Sequence, residues 1–314
     1  MLAILNVTTP FFALVLCGYL AARYGMLPEN AVPALNTFVL YFALPCMLFR
    51  FTAGIPFREI LNLPVSLAYV VTGLTTLAIV ATTSRFVAGA GVREAAFAAL
   101  AGSWSNWGYM GIALLPALLG QAALAPLIAA GMADLIVVVS AGLALASLGS
   151  REGGGRAALA GALQHVAKNP LIWAVGVGGA FSAWAWRLPA PLDHLTQLLG
   201  QAAGPVALFT IGVSLYRPDT RAWRADVLLI TGAKLVLHPL LTSVVALFVF
   251  RLTAFEVRTL VLTAALPVAG TVFLFAERQG ADAERIATAI LVSTALAFMS
   301  FSALCWALGT RLPG

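Results

Sequence analysis

Charge is the scarcest commodity in this sequence. Of its 314 residues only 10% are Asp, Glu, Lys or Arg, while 61% are hydrophobic; a soluble domain carries about 25% charged and about 45–50% apolar residues. A water-soluble globular domain is therefore excluded. Cysteine is nearly absent as well, and Cys17, Cys46 and Cys305 all lie in apolar runs without paired spacing, which argues against a disulfide framework and against a zinc site. The three histidines, His165, His194 and His238, fall in separate regions, and no HExxH, GxSxG or CxxC motif and no Walker-type glycine loop occurs. An enzyme and an ATP-driven pump thus lack their parts, and neither a metal nor a cofactor is expected. The net charge of +6 sits largely in short breaks between apolar runs, where it orients a membrane protein rather than binding nucleic acid. No basic residue precedes the first run and no small-residue cleavage site is evident, so that run reads as a retained span, not a signal peptide.

What the sequence has in abundance is long apolar runs. About 17–25 such residues cross a bilayer as a helix, and ten spans are expected at 2–22, 31–51, 64–86, 95–119, 123–148, 170–186, 192–216, 227–250, 257–276 and 286–308. Eleven Lys and Arg lie by the breaks after the odd-numbered spans, against six by the other breaks and the termini. The positive-inside rule then puts both termini on the non-cytoplasmic side of a cell membrane. The fold class is an all-α integral membrane protein.

The longest break, 149–169, contains Ser150-Arg151-Glu152-Gly153-Gly154-Gly155-Arg156 and separates two halves, 1–148 and 170–314. The halves repeat at an offset of 160: Pro10 with Pro170, Gly18 with Gly178, Pro45 with Pro205, Phe49 with Phe209 and Gly120 with Gly280. Each half has five spans, an odd number, so the second enters the membrane from the opposite side. Such inverted five-helix repeats are a hallmark of secondary transporters, whose substrate binds near the midplane where the repeats meet. A sensor or receptor would leave this symmetry unexplained.

The fourth span carries Ser103-Trp104-Ser105-Asn106-Trp107-Gly108-Tyr109-Met110-Gly111 at its centre, and the ninth has Pro267, Gly270 and Thr271 in the corresponding place. Polar and helix-breaking residues at that depth predict two interrupted helices lining a cavity, with half-helix N-termini that attract an anion. Gly108 and Gly111 have a second reading, as a close-packing face. Asn106 is the strongest candidate for touching substrate, because an amide offers both a donor and an acceptor. Trp104, Trp107 and Tyr109, facing the cavity, would favour a compact acid. Asp134, Lys234 and His238 lie deep in the fifth and eighth spans; they read either as a structural ion pair with a neighbouring histidine or as a proton- or ion-coupling group.

Asn106-Trp107-Gly108-Tyr109-Met110-Gly111-Ile112 followed by Pro116 resembles the Asn-x-Gly-x-x-Gly-x-Pro-type crossover of the auxin efflux carrier family, which includes plant PIN carriers and bacterial malonate-type transporters. Ala113 stands where proline is usual. The run Asn36 to Pro45, Lys168-Asn169-Pro170, Leu266-Pro267 and Gln279-Gly280 match the family too, and the resemblance covers essentially the whole chain. It implies a fold shared with bile-acid symporters and sodium/proton antiporters, in which broken helices 4 and 9 cross. Spans 1, 2, 6 and 7 would form a scaffold, through which two copies could meet as a homodimer, and spans 3–5 and 8–10 a transport domain. It implies a small organic acid as substrate, malonate-like, and a bacterial inner membrane as the location. The resemblance places the substrate at Ser103, Ser105, Asn106, Tyr109, Gly111, Pro267, Gly270 and Thr271, between the crossover and Pro45, Cys46 and Pro205, with Asn169 nearby. A sodium-coupled symporter of bile-acid type is the alternative.

Overall fold

The computed structural model describes residues 2–28, 31–148, 164, 167–216 and 225–309. Over these residues the chain is helical, and its one β-type feature is a single isolated bridge. Helix α1 covers Leu2–Arg23, α2 Ala31–Gly54, α3 Leu63–Phe86, α4 Val92–Ser103, α5 Trp107–Leu119 and α6 Gln121–Leu148. The second half has α7 at Pro170–Ala183, α8 at Ala190–Leu215, α9 at Asp226–Val249, α10 at Ala254–Ala264, α11 at Thr271–Arg278 and α12 at Ala283–Ala307. Six of them, α2, α3, α6, α8, α9 and α12, are long and apolar enough to cross a membrane. The pairs α4/α5 and α10/α11 fall short because each is a single expected span broken in two. Most of the expected linker at 149–169 lies outside the described residues, as does the basic stretch 217–224.

Two departures from the expected spans have local causes. Helix α7 stops at Ala183 instead of continuing to Trp186, because Ala185 adopts a left-handed backbone with φ 53° that reverses the chain. Trp184 and Trp186 then stack on each other beyond the helix, with ring centres 5.2 Å apart. Helices α2 and α9 are each distorted by a π-helical turn, at Val39–Ala43 and Ala233–Leu237, two residues before Pro45 and Pro239. A proline ring clashes with the carbonyl four residues earlier and offers it no N–H, and the widened turn relieves both problems.

The long helices leave rows of apolar side chains on the outside. On α9, Val236, Leu240, Val244 and Phe248 are all exposed at four-residue spacing, and along α3 Leu67, Val71 and Ile79 are exposed, four and eight residues apart. Stripes of this kind suit hydrocarbon and would be a liability in water. On the inner side, α1 packs along α8 while α2 packs along α7 and α8; α3, α4, α6, α9, α10 and α12 pack among themselves. The first group is joined by backbone contact at glycine. A Cβ on Gly18 would lie 2.0 Å from the carbonyl oxygen of Phe209, one on Gly212 1.9 Å from that of Val15, and one on Gly178 2.6 Å from that of Phe49.

Polar ties gather the helix ends in two sets. At one end, Arg285 of α12 pairs with Asp226 of α9 at 3.2 Å and donates to the Glu94 carbonyl of α4, and the Glu94 carboxylate accepts from the amide of Asp282. At the other end, Arg50 of α2 pairs with Asp193 of α8, and Asn62 bridges the start of α3 to that of α10 through Glu256 at 2.7 Å. Glu256 also closes a capping box with Thr253.

Glu256 lies before the apolar part of its span, and its pKa reflects these ties. Partial burial pushes it up, but hydrogen bonds from the Thr253 side chain, the Thr253 amide and Asn62 outweigh that and leave it below its ordinary value of 4.5. A carboxylate whose folded-state pKa is depressed contributes stability above its unfolded pKa, and the contribution disappears as the pH falls through the folded pKa. Thermal melts of wild type and Glu256→Gln from pH 7 to pH 3 should therefore converge at the acid end; a constant gap would refute the assignment.

Candidate functional site

Helix α4 ends at Ser103 and α10 at Ala264, and the chain resumes helical geometry at Trp107 and Thr271. The two breaks cross. Ser105 and Val268 face each other in an antiparallel bridge: the amide of Asn106 donates to the carbonyl of Pro267 at 3.0 Å, and the amide of Ala269 donates to that of Trp104 at 3.1 Å. The amide of Val268 donates to Ser293 Oγ on α12 at 3.2 Å. Backbone groups freed from a helix far from water must find partners within the protein, and here each break supplies them to the other. Pro267, with no N–H of its own, contributes only an acceptor.

The interruption in the first half is shorter than its polar stretch predicts. Only Trp104–Asn106 leave the helix, and Gly108 and Gly111 fall within a π-helical turn at Trp107–Gly111. The two readings of these glycines divide between them. A Cβ on Gly111 would touch Leu266 Cδ1 at 2.9 Å, so this glycine serves close packing; one on Gly108 would meet nothing within 4 Å, and the same holds for Gly270. Both glycines beside the new half-helices thus border open space.

Four helix ends converge at the crossing, two C-terminal and two N-terminal. A helix C-terminus carries partial negative charge and an N-terminus partial positive charge. The fully buried Lys234 meets the negative ends: its ammonium donates to the carbonyl of Ala264, the last residue of α10, and to Ser105 Oγ in the opposite break at 2.8 Å. Ser105 Oγ is in turn hydrogen-bonded to the Tyr69 hydroxyl at 3.0 Å. Asp134, also fully buried, opens a π-helical turn at Asp134–Val138. Neither of its carboxylate oxygens reaches a hydrogen-bond partner among the described residues. Asp134 and Lys234 therefore do not form a contact pair. His238 is likewise buried with both ring nitrogens unpartnered, and its ring lies 5.6 Å from that of Tyr69.

The remaining expected site residues separate into distinct settings. The carbonyl of Asn106 accepts from the amides of Met110 and Gly111, while its side-chain amide caps nothing and is bonded by no described residue. Ser103 spends its hydroxyl on the Ala99 carbonyl one turn back at 2.8 Å. Pro267 is buried, and Tyr109, Gly270 and Thr271 are half-buried at the break. Pro45 and Cys46 are half-buried on α2 and Pro205 is exposed on α8, beside Gly204, which faces Ala113 of α5. Asn169 accepts from the amide of Leu171 and caps α7. The expectation that both tryptophans face the cavity is not met: Trp104 stacks on Phe275 with ring centres 6.0 Å apart, and Trp107 covers Gly131. Each of these large rings gains more by covering a neighbour in the core than by standing in a polar opening. Tyr69 and Ser293 were not foreseen. A phenol inside an apolar span needs a partner, a signal that could have marked Tyr69, whereas a lone helical serine carries none.

The sequence model of a family described as "Membrane transport protein" matches residues 3–152 and 156–305. A protein of Rhizobium meliloti (strain 1021) named "Putative malonate transporter" is 33% identical over 308 residues, 98% of this chain and 96% of the relative. An uncharacterized transporter of Escherichia coli (strain K12), YfdV, is 26% identical over 315 residues, 96% of each chain. An uncharacterized transporter of Methanothermobacter thermautotrophicus is 24% identical and covers 91% of this chain and 92% of its own. The family and these relatives are transporters, not enzymes, and this chain, with its apolar helices and its paired breaks, belongs to the membrane transport protein family, that of the auxin efflux carriers.

Proposed function

We propose that the protein is a secondary transporter moving a small organic anion, a malonate-like mono- or dicarboxylate, across the membrane by alternating access. The observation that supports this reading is the crossing, which brings two half-helix N-termini together beside Gly108 and Gly270, where a Cβ would meet nothing within 4 Å, and leaves the side-chain amide of Asn106 without a partner among the described residues. Helix N-termini favour an anion. With one lysine nearby, already engaged, each further negative charge would be costly to desolvate, which favours a small carboxylate over a nucleotide or sugar phosphate. The Rhizobium relative carries the name "Putative malonate transporter". The comparisons give the sodium-coupled bile-acid alternative no support.

The finer architecture belongs to the same proposal: ten spans in two inverted repeats. Its support is a reciprocal contact, since Gly18 approaches Phe209 as Gly178 approaches Phe49, and exchanging the halves at an offset of 160 turns one contact into the other. The helix ends also segregate as alternate crossing requires, those beside odd-numbered breaks meeting each other and those beside even-numbered breaks doing likewise. Helices α1, α2, α7 and α8 then form the scaffold, where two copies could dimerise, and the others form the moving domain. Both termini lie on the non-cytoplasmic side of a bacterial inner membrane.

Binding and proteoliposome uptake of malonate, succinate, indole-3-acetate and taurocholate test the function, with the small acids expected to bind and be carried. Asn106→Ala should weaken their binding by about 1–3 kcal/mol through an unpaired polar partner, without loss of folded protein. Binding of taurocholate alone would overturn the substrate class, and undiminished binding by the variant would remove Asn106 from the site.

A further inference from the structure

Lys234 reaches the crossing from α9, a helix that contributes neither break. Its ammonium is bonded by two oxygens of unlike origin, the C-terminal carbonyl of α10 at Ala264 and the hydroxyl of Ser105 in the other break. The Asp134 carboxylate is buried as well, with two oxygens that no described residue engages. A helix-end carbonyl, a hydroxyl and a carboxylate are the oxygen ligands that a hard monovalent cation takes from proteins, and unwound carbonyls and helix C-termini coordinate sodium in transporters with broken helices. Here the position between the carbonyl and the hydroxyl is filled by an ammonium held on its own side chain.

We propose that Lys234 is a tethered cation standing where a free sodium ion would otherwise bind, so that the crossing of this chain is complete without a dissociable metal ion. An alkylammonium is a compact point charge on a flexible stem with three donors. It can join the two breaks as an ion would and neutralise the same partial charges, but it cannot leave. The consequence for transport, which rests on the reading of the crossing as the transport site, is that substrate movement needs no sodium gradient.

The geometry predicts two results. Purified wild-type protein should melt at the same temperature in sodium, lithium, potassium and choline chlorides at matched ionic strength. Lys234→Ala, which leaves the Ala264 carbonyl and Ser105 facing a vacated space, should melt lower in choline. It should then recover saturably with sodium or methylammonium chloride, by about 2–4 °C for each 1 kcal/mol that the bound ion supplies. Should the alanine variant not yield folded protein, Lys234→Gln, which removes the charge while filling most of the space, is expected to melt lower in choline and to recover with sodium in the same way. Saturable stabilisation of the wild type by sodium overturns the proposal whatever the variants do. So does a folded variant that responds to neither cation. Melting reads the cation site without substrate, so a chain that behaves as expected yet carries no small carboxylate would keep this inference and lose the transport reading.

Discussion

Gly212→Ala should cost at least about 3 kcal/mol of stability, at the upper end of overpacking or beyond it, and much of the protein should fail to assemble. The added Cβ would sit 1.9 Å from the carbonyl oxygen of Val15 and 2.8 Å from the amide nitrogen of Tyr19. These are backbone atoms, so no rotamer change relieves the overlap and α1 must separate from α8. Gly18→Ala meets the Phe209 carbonyl at 2.0 Å on the same interface and should behave alike. Gly232→Ala is the control: its Cβ meets nothing within 4 Å, and removing a helical glycine there should be neutral or stabilise by about 0.5–1 kcal/mol. Thermal unfolding in detergent, with the monodisperse fraction as a second readout, measures all three. A Gly212→Ala protein that melts with the wild type would contradict the packing of α1 on α8.

The second large effect concerns the buried charges. Removing one member of a buried pair leaves the other uncompensated and costs about 3–5 kcal/mol, whereas removing both can be nearly neutral. Lys234→Met, measured in choline buffer, should lie at the severe end, because the orphaned Asp134 has no hydrogen-bond partner to fall back on. Asp134→Asn should be milder, since Lys234 keeps the Ala264 carbonyl and Ser105. The double variant should melt closer to wild type than Lys234→Met does. Strict additivity of the two single effects would mean that the charges do not interact.

Much of the plan was legible in the chain because a bilayer imposes a simple rule: apolar runs of fixed length, with charge at their ends. The polar centre of the fourth span and Pro267 marked where helices would break, since serine, asparagine, glycine and proline gathered at that depth leave backbone groups that a continuous apolar span would satisfy by itself. The depth of Asp134 and Lys234 was legible for the same reason. Their relation was not. Whether two buried charges touch depends on how the α6 and α9 turns are rotated about their axes, and in both helices a π-helical turn shifts that rotation; Pro239 marks the turn in α9, but no proline follows the one in α6.

By itself, then, the sequence determined the membrane class, the regions where helices break, and the family, because hydrophobicity, helix-breaking chemistry and motif spacing are local properties that read along one dimension. Only the tertiary structure decided what meets at the crossing. The Asn106–Pro267 and Trp104–Ala269 hydrogen bonds, the Lys234 ammonium joining Ala264 to Ser105, and Trp104 and Trp107 turning into the core join residues up to 165 positions apart. Such partners are chosen by three-dimensional packing and by the need to satisfy every buried polar group, conditions that act on the assembled bundle and leave no local mark on the chain.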